Sequence, residues 1–268
     1  MNKIIKLSSP ETREFWRIPV LFEDDYLLAL DKPSGLLISP DRYDPNRPNL
    51  MKLLHRDIAR RAAWARERKL EYLVNAHRLD LETSGVILLA KIKPVLVHLA
   101  NQFGCEKPAK TYVALVHGTP AKPDFEVDLK LGFHPFKVGL VRVAQIRGKK
   151  SQTHFELIER FSGFTLLKCQ PATARTHQIR VHLQSSRLPV VGDRLYGGQR
   201  LLLSTLKPGY RPKANEKERP LLDRVALHAA ALQLEHPVKG ELVRIESPLP
   251  KDLVVALKYL RRFAAAAA

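Results

Sequence analysis

Apolar runs in this chain are short, and Asp, Lys or Arg interrupts each of them within a few residues. No run approaches the roughly 18 continuous apolar residues that a membrane-spanning helix needs. Most runs have the length and the flanking turn residues of strands, and only a few show helical spacing. Strands and helices do not alternate regularly, which predicts the α+β class with a mixed or antiparallel sheet.

Three segments give predictions of secondary structure that depend on specific residues. Residues 26–30, the turn sequence at 31–35 and residues 36–39 predict a β-hairpin. Residues 50–70 predict a helix with leucines and alanines on one face and arginines largely elsewhere. Residues 201–222 contain prolines among basic residues and predict an exposed basic loop. Further strands are predicted at 85–91, 110–116, 151–160, 164–170, 225–234 and 242–246, and further helices at 94–103, 176–183 and 250–263.

The chain carries a large positive charge. Its 268 residues include 45 Lys and Arg against 27 Asp and Glu, a formal net charge of +18. Such an excess favours a polyanionic partner, because each neutralised phosphate releases counterions. Nucleic acid is the first candidate partner and an anionic membrane surface is the second, whereas a solvated basic surface would need no partner. The length suits one large domain or two small ones.

The compartment is indicated by the cysteines and by the first residues. Cys105 and Cys169 are isolated, so they form no CxxC pair and predict no disulfide framework. The first residues lack the long apolar run of a signal peptide. These features predict a protein of a reducing compartment, the cytoplasm.

Residues 77–85, HRLDLETSG, concentrate reactive groups directly before a predicted strand. They supply the carboxylate of Asp80, the guanidinium of Arg78 and the hydroxyl of Thr83. A carboxylate that a cationic neighbour keeps ionised can act as a nucleophile or a base. The simpler structural explanation is an Asp80 that caps a turn, with Arg78 in a surface ion pair.

Residues 174–182, ARTHQIRVH, concentrate donors able to bind carboxylate or phosphate. If a helix begins here, its free N–H groups add affinity for anions. The alternative is a basic helix face. His177 and His182 are five residues apart, so on a helix they diverge by ~140° and predict no metal site.

Two further segments carry weaker signals. Alternation along a strand places Lys110 and Tyr112 on one side and Thr111 on the other. An aromatic ring beside a cation suits base stacking, whereas a half-buried core tyrosine is the alternative. Asp193 and Arg194 lie in a stretch whose simplest explanation is a turn with an Asp–Arg ion pair.

In their order and in their residues, these segments together resemble those of the RluA-type family of pseudouridine synthases. The similarity extends over residues 26–234, and Ala174 stands where the family usually has glycine. It implies a single α+β catalytic domain over residues 1–268, with its core at about 20–263 and no separate N-terminal RNA-binding domain. The implied fold has a mixed, mainly antiparallel central sheet, flanking helices and an RNA-binding cleft. The matching segments are residues 31–35, 77–85, 110–116, 175–180, 192–197 and 227–229.

The resemblance also implies a chemistry without metal or organic cofactor, in which selected uridines of RNA are isomerised. The C1′–N1 glycosidic bond breaks, the uracil turns, and a C1′–C5 bond forms. Asp80 matches the catalytic aspartate, which either attacks carbon or removes a sugar proton. Arg175 is expected to pair with Asp80, and Tyr112 is expected to stack on the uracil and to move the C5 proton.

The remaining expectations concern the RNA substrate, a stem-loop of rRNA or tRNA. Arg78 is expected to fill the space that the extruded uridine leaves, and Leu227 to form an apolar floor. The helix at 50–70 and the loop at 207–219 are expected to contact phosphates. The chain is expected to act as a monomer and to bind no membrane. The other residues expected to bind substrate are His77, Thr83, Arg180 and Lys110.

Two functions of other classes compete with this hypothesis. One is a non-catalytic RNA-binding or ribosome-assembly factor, against which the joint presence of Asp80, Tyr112 and Arg175 argues. The other is a carboxylate glycosidase acting on nucleosides or sugars. A small neutral substrate gains little from a net charge of +18, which argues against this second function.

Overall fold

A computed structural model of the chain describes residues 3–41, 44, 46–211 and 217–266. Its helices are α1 Leu50–Ala59, α2 Ala63–Glu67, α3 Lys93–Gly104, α4 Gln178–Ser185, α5 Leu203–Leu206 and α6 Lys251–Phe263. Its strands are β1 Ile4–Ser8, β2 Phe15–Glu23, β3 Leu27–Lys32, β4 Val74–Asn75, β5 Ser84–Ala90, β6 Ala109–His117, β7 Asp124–Phe133, β8 Val141–Val143, β9 Lys149–Phe161, β10 Phe164–Pro171, β11 Leu227–Glu235 and β12 Leu242–Glu246. No helix in the described part of the chain is both long enough and apolar enough to cross a membrane.

Backbone contacts divide the chain into two compact units, each made of two stretches. The first unit comprises Met1–Ala109 and Ala229–Pro248, and the second comprises Lys110–His228 and Leu249–Ala268. The expectation of one catalytic domain over the whole chain stays a prediction.

The first unit is built on a sheet of strand order β1-β2-β3-β5-β11, with β4 beside β5 and β12 beside β11. β3 and β5 are antiparallel partners, and every residue of β5 is buried. The apolar run GVILLA forms such a strand because both of its faces can pack against other apolar groups. Val95 and Leu99 of α3 belong to the same core cluster as Val86 and Leu88 of β5.

The second unit has the strand order β6-β10-β9-β7-β8, and its successive strand pairs are antiparallel. Its core contains residues of α4 and α6 and of the strands β6 and β10. Leu253, Leu257 and Leu260 of α6 are buried there, as the predicted helical spacing requires. The predicted strands and the helices α3, α4 and α6 agree with the structure to within two residues at each end.

The predictions for residues 36–39 and for residues 50–70 were wrong. Residues 36–39 do not pair with β3, whose neighbours are β2 and β5; Leu37 instead forms an isolated parallel bridge with Asn49. The predicted helix at 50–70 is two helices, because Arg61 adopts a left-handed backbone with φ 53°. Hydrogen bonds from the N–H groups of Arg61 and Ala62 to the carbonyls of Ile58 and Asp57 close the first helix.

The prediction of an exposed loop at 201–222 was wrong at both ends. Leu201 and Leu222 form an isolated bridge and are 0% and 1% exposed. They belong to the core of the second unit, so apolar packing fixes the stretch at its two ends. Within the segment 207–219, residues 212–216 lie outside the described residues.

Candidate active site

A buried lysine holds the backbone beside Asp80. Lys32 is 0% exposed, and its Nζ donates to the carbonyls of Pro33 at 2.8 Å, Leu36 at 2.9 Å and Leu81 at 3.2 Å. A buried ammonium group needs such acceptors, because it loses its hydration on folding. The turn sequence at 31–35 is thereby tied to the residue that follows Asp80.

The turn itself adds two more hydrogen bonds to the same segment. The Ser34 hydroxyl donates to the Glu82 carbonyl at 2.7 Å, and the Gly35 N–H donates to the Leu81 carbonyl at 2.9 Å. The Thr83 N–H donates to the Asp80 carbonyl at 3.2 Å, which closes a turn directly before β5. Asp80 itself is half-buried. These hydrogen bonds fix the backbone at Asp80 and at the two residues that follow it. Thr83 is 2% exposed, which does not favour contact between its side chain and RNA.

Gly85 ends the HRLDLETSG segment because the position has no room for a side chain. Its φ is +114°, a conformation that favours glycine. A Cβ at this position would lie 2.2 Å from the carbonyl oxygen of Ala229 in β11. The glycine therefore permits the close approach of β11 to the start of β5.

His77 and Arg78 differ in their exposure and in their contacts. The His77 Nε2 accepts from the Leu88 N–H at 3.1 Å, and its ring stacks on Phe103 with centroids 5.0 Å apart. The ring therefore has a structural role in the first unit. Arg78 is exposed, so its guanidinium is accessible to RNA.

Tyr112 lies on β6 in the second unit, opposite Cys169 of β10. It is half-buried and packs against the core, and Lys110 is half-buried at the start of the same strand. Leu227, at the start of β11, is 3% exposed and belongs to that core. The apolar part of the Tyr112 ring therefore packs against this core, and the packing fixes the direction of the side chain.

The carboxamide of Gln178 positions the loop that carries Arg175. Its Oε1 accepts from the Arg175 N–H at 3.1 Å and from the Thr173 hydroxyl at 2.7 Å. Its Nε2 donates to the Gln152 carbonyl and to the Thr153 hydroxyl, both at 2.9 Å. Gln178 is 4% exposed, so these contacts satisfy a buried polar group. The Arg175 Nε donates to the Lys150 carbonyl at 3.1 Å, which orients the guanidinium.

Arg180 is buried in a bidentate ion pair with Asp193. Its Nε and Nη2 lie 2.6 and 2.7 Å from the two Asp193 carboxylate oxygens, and both side chains are nearly inaccessible. The guanidinium also lies 5.0 Å from the Tyr196 ring centroid. This burial favours a positioning role over the predicted contact with RNA. The ion pair expected within the turn at Asp193 and Arg194 does not form, because Arg194 binds Asp223 instead.

The two histidines of this region bind other side chains. The His177 Nδ1 lies 2.8 Å from the Tyr196 hydroxyl. The His182 Nε2 lies 2.8 Å from the Ser151 hydroxyl, and its Nδ1 lies 3.0 Å from the Thr153 hydroxyl. Burial lowers the pKa of His182 from 6.5 to about 4, so the ring is neutral at pH 7. Among the described residues, no three His, Cys, Asp or Glu side chains are placed to hold a metal ion.

The predicted site residues are divided between the units. Asp80, His77, Arg78 and Thr83 lie in the first, and Tyr112, Arg175, Lys110, Arg180 and Leu227 lie in the second. The positioning residues Gln178 and Asp193 were missed because a sequence alone does not indicate their partners. Both lie in segments that were already singled out, and a polar residue beside buried apolar ones is a signal that could have found them.

The sequence profile described as RNA pseudouridylate synthase matches residues 26–185. This chain belongs to that family. Among its relatives, the ribosomal large subunit pseudouridine synthase D of Nitrosomonas europaea is 36% identical over 247 residues. The aligned region covers 91% of this chain and 65% of that protein. The ribosomal large subunit pseudouridine synthase C of Escherichia coli is 36% identical over 244 residues, which cover 90% of this chain and 70% of the relative.

A solved structure of this family has the same fold. Human RNA Pseudouridylate Synthase Domain Containing 4 aligns with a TM-score of 0.69 and 25% identity, covering 90% of this chain and 92% of that one. The predicted family and the α+β fold with a mainly antiparallel sheet are therefore confirmed. The predicted enzyme class, an isomerase that acts on RNA, is confirmed through the family.

Proposed function

We propose that this chain converts specific uridines of ribosomal RNA to pseudouridine, with Asp80 as the catalytic carboxylate. The main support is that the family profile matches residues 26–185, a range that includes Asp80, Tyr112 and Arg175. The names of the relatives refer to the large ribosomal subunit, which favours ribosomal RNA over tRNA.

Asp80 acts as an ionised carboxylate, as a nucleophile on carbon or as a base on a sugar proton. Its segment is held by the ammonium of Lys32 and the hydroxyl of Ser34, which supports a fixed direction for the carboxylate. Fixed geometry matters because a reacting group must lie within about 3–3.5 Å of its target.

Arg175 and Tyr112 complete the proposed chemistry. A guanidinium favours the ionised form of a carboxylate beside it, and the bond from Arg175 to the Lys150 carbonyl restrains this group. Tyr112 stacks on the uracil and transfers a proton from C5. The reaction is balanced within the nucleotide, since the C1′–N1 bond is replaced by C1′–C5 and N1 gains the proton that C5 loses.

The target uridine must leave its helical stack before it reacts, at a cost of about a few kcal/mol. Arg78 is exposed two residues before Asp80, and we assign it to the space that the base vacates. We further propose that the chain acts as a monomer in the cytoplasm and binds no membrane. The unpaired thiols of Cys105 and Cys169 are consistent with a reducing compartment.

The test is pseudouridine mapping of ribosomal RNA and tRNA in a strain that lacks the gene. We expect one or more large-subunit sites to disappear, to return with the wild-type gene, and to stay absent with Asp80→Asn. The Asp80→Asn protein must still fold and bind RNA, which thermal denaturation and a binding assay check. Restoration by Asp80→Asn would indicate a non-catalytic factor, and loss of tRNA sites alone would contradict the assignment to ribosomal RNA.

A further inference from the structure

One face of the sheet in the second unit carries three exposed cations on three neighbouring strands. Lys130 of β7 lies directly opposite Lys150 of β9. Arg142 of β8 lies opposite Gly132, two residues along β7 from Lys130, so it is the diagonal neighbour of Lys130 on the same face. These three residues, Lys130, Arg142 and Lys150, are here named the cation trio.

The cation trio places like charges next to each other on the sheet. Side chains directly opposite each other in an antiparallel pair have Cβ atoms about 5 Å apart, and like charges there are destabilising. None of the three side chains forms an ion pair with a residue in the described part of the chain. The arrangement therefore has a cost in the free protein that an anion would remove.

On the remainder of this face, three acids have partners within the sheet. Glu126 accepts from the Gln152 carboxamide at 2.7 Å. Asp124 lies 3.2 Å from His154. Glu156 lies 2.8 Å from Lys168, which lowers the pKa of that carboxyl group. Asp128 lies between the two ends, opposite Gln152. The face therefore changes from internally paired acids to unpaired cations along the strands.

The position of the cation trio is fixed by the backbone. A Cβ at Gly148 would lie 2.3 Å from the Ala144 carbonyl oxygen and 2.8 Å from the Lys130 backbone. The absence of a side chain at this position lets the start of β9 approach β7 and sets Lys150 against Lys130. The carbonyl of Lys150 also accepts the hydrogen bond from Arg175 Nε.

We propose that the cation trio binds backbone phosphates of the RNA substrate next to the reacting nucleotide. The proposal rests on the proposed function, because it takes Arg175 as part of the active site. Phosphates supply the negative charge that the cation trio lacks, whereas the acids at the other end of the face already have partners within the sheet. The binding is independent of base identity, so it positions the RNA without selecting the uridine.

The test uses Lys130→Gln/Lys150→Gln in the Asp80→Asn protein, so that binding is measured without turnover. The probe is a fluorescein-labelled RNA stem-loop with uridines in its loop, titrated by fluorescence anisotropy at several salt concentrations. We expect the slope of log Kd against log salt to fall by about two, because each neutralised phosphate contributes about 0.9. Near 0.1 M salt, this corresponds to roughly tenfold weaker binding for each phosphate that the variant no longer neutralises.

The matched control is Lys251→Gln/Lys258→Gln, which removes the same charge from two exposed lysines of α6. We expect this control to retain the salt slope of the parent protein. An equal reduction in both double variants, or no reduction in either, would overturn the proposal. Thermal denaturation of both variants excludes a loss of folding as the cause.

A second readout separates this proposal from the proposed function. In the Asp80-containing protein, Lys130→Gln/Lys150→Gln should raise KM for transcribed large-subunit ribosomal RNA with kcat unchanged within about twofold. If the wild-type protein forms no pseudouridine, the proposed function fails, while the salt slopes still report on the cation trio. Loss of binding to phosphatidylglycerol vesicles in the double variant, with RNA binding unchanged, would overturn the assignment to RNA.

Discussion

The segments that carry Asp80 and Arg175 are held in place by different kinds of contact. In the first unit, one buried ammonium, that of Lys32, donates to three main-chain carbonyls, one of which belongs to Leu81, directly after Asp80. In the second unit, the carboxamide of Gln178 accepts from the Arg175 N–H, and the buried ion pair of Arg180 with Asp193 lies on the helix that begins at Gln178. The comparison indicates that the first segment is held by side chains of one turn, Lys32 and Ser34, that bind main-chain carbonyls, whereas the second relies on a buried carboxamide.

The largest effect is expected for Lys32→Met, because it removes the donor to three main-chain carbonyls at once. At about 1–2 kcal/mol for each unsatisfied acceptor, the free energy of unfolding should fall by roughly 4–5 kcal/mol. Urea denaturation measures this loss. The control is Lys93→Met at an exposed position of α3, which should change stability by less than about 0.5 kcal/mol. Similar values for both variants would show that the Asp80 segment does not depend on Lys32.

A smaller effect is expected for Asp193→Asn, which leaves the buried cation of Arg180 without a counter-charge. The free energy of unfolding should fall by about 3 kcal/mol. Asp223→Asn is the control, since Asp223 pairs with the exposed Arg194 and should contribute less than about 1 kcal/mol. If Asp193→Asn cost no more than this control, the support of the Arg175 segment would not include the buried pair.

The smallest effect is a dependence on pH that arises from His182. Its pKa is about 4 in the folded protein against 6.5 in the unfolded chain, because burial disfavours the charged ring. Below pH 6.5 the unfolded chain therefore binds a proton that the folded protein does not, and stability falls with pH down to about 4. At pH 5 the loss should be about 2 kcal/mol.

Urea denaturation between pH 7 and pH 4 (roughly the window that His182 spans) measures this dependence. The variant His182→Gln should flatten the pH dependence, whereas His98→Gln on the exposed face of α3 should leave it unchanged. An unchanged profile in His182→Gln would assign the pH dependence to other groups.

Local sequence patterns correctly predicted the elements in which the apolar positions of the pattern are the buried positions of the structure. The strand β12 and the helix α6 are examples, since their burial follows from their periodicity, and β5 is buried throughout, as its continuous apolar run implies. The segments that resemble the family were also identified from the sequence, and the family match includes the three proposed catalytic residues.

The failures arose where a distant residue decides the local structure. The turn at 31–35 binds Leu81 through Lys32 rather than forming a hairpin, and that partner is 49 residues away. Arg180 was expected to face RNA because its charge is apparent in the sequence, whereas its partner Asp193 is identified only by the fold. Arg61 ended a predicted helix although no glycine marks the position, because a left-handed residue can be any type whose hydrogen bonds offset the strain.

The division of the first unit into two stretches of chain has a consequence for protein synthesis. Its last strands lie in Ala229–Pro248, so the ribosome makes the stretch Lys110–His228 before the first unit can be completed. At about 5–20 residues per second, this delay is roughly 6 to 24 seconds. Throughout that time, the edge of β5 that later pairs with β11 is open, and β5 is apolar along its whole length. The nascent chain therefore exposes the open edge of an apolar strand, which is a site for aggregation during synthesis.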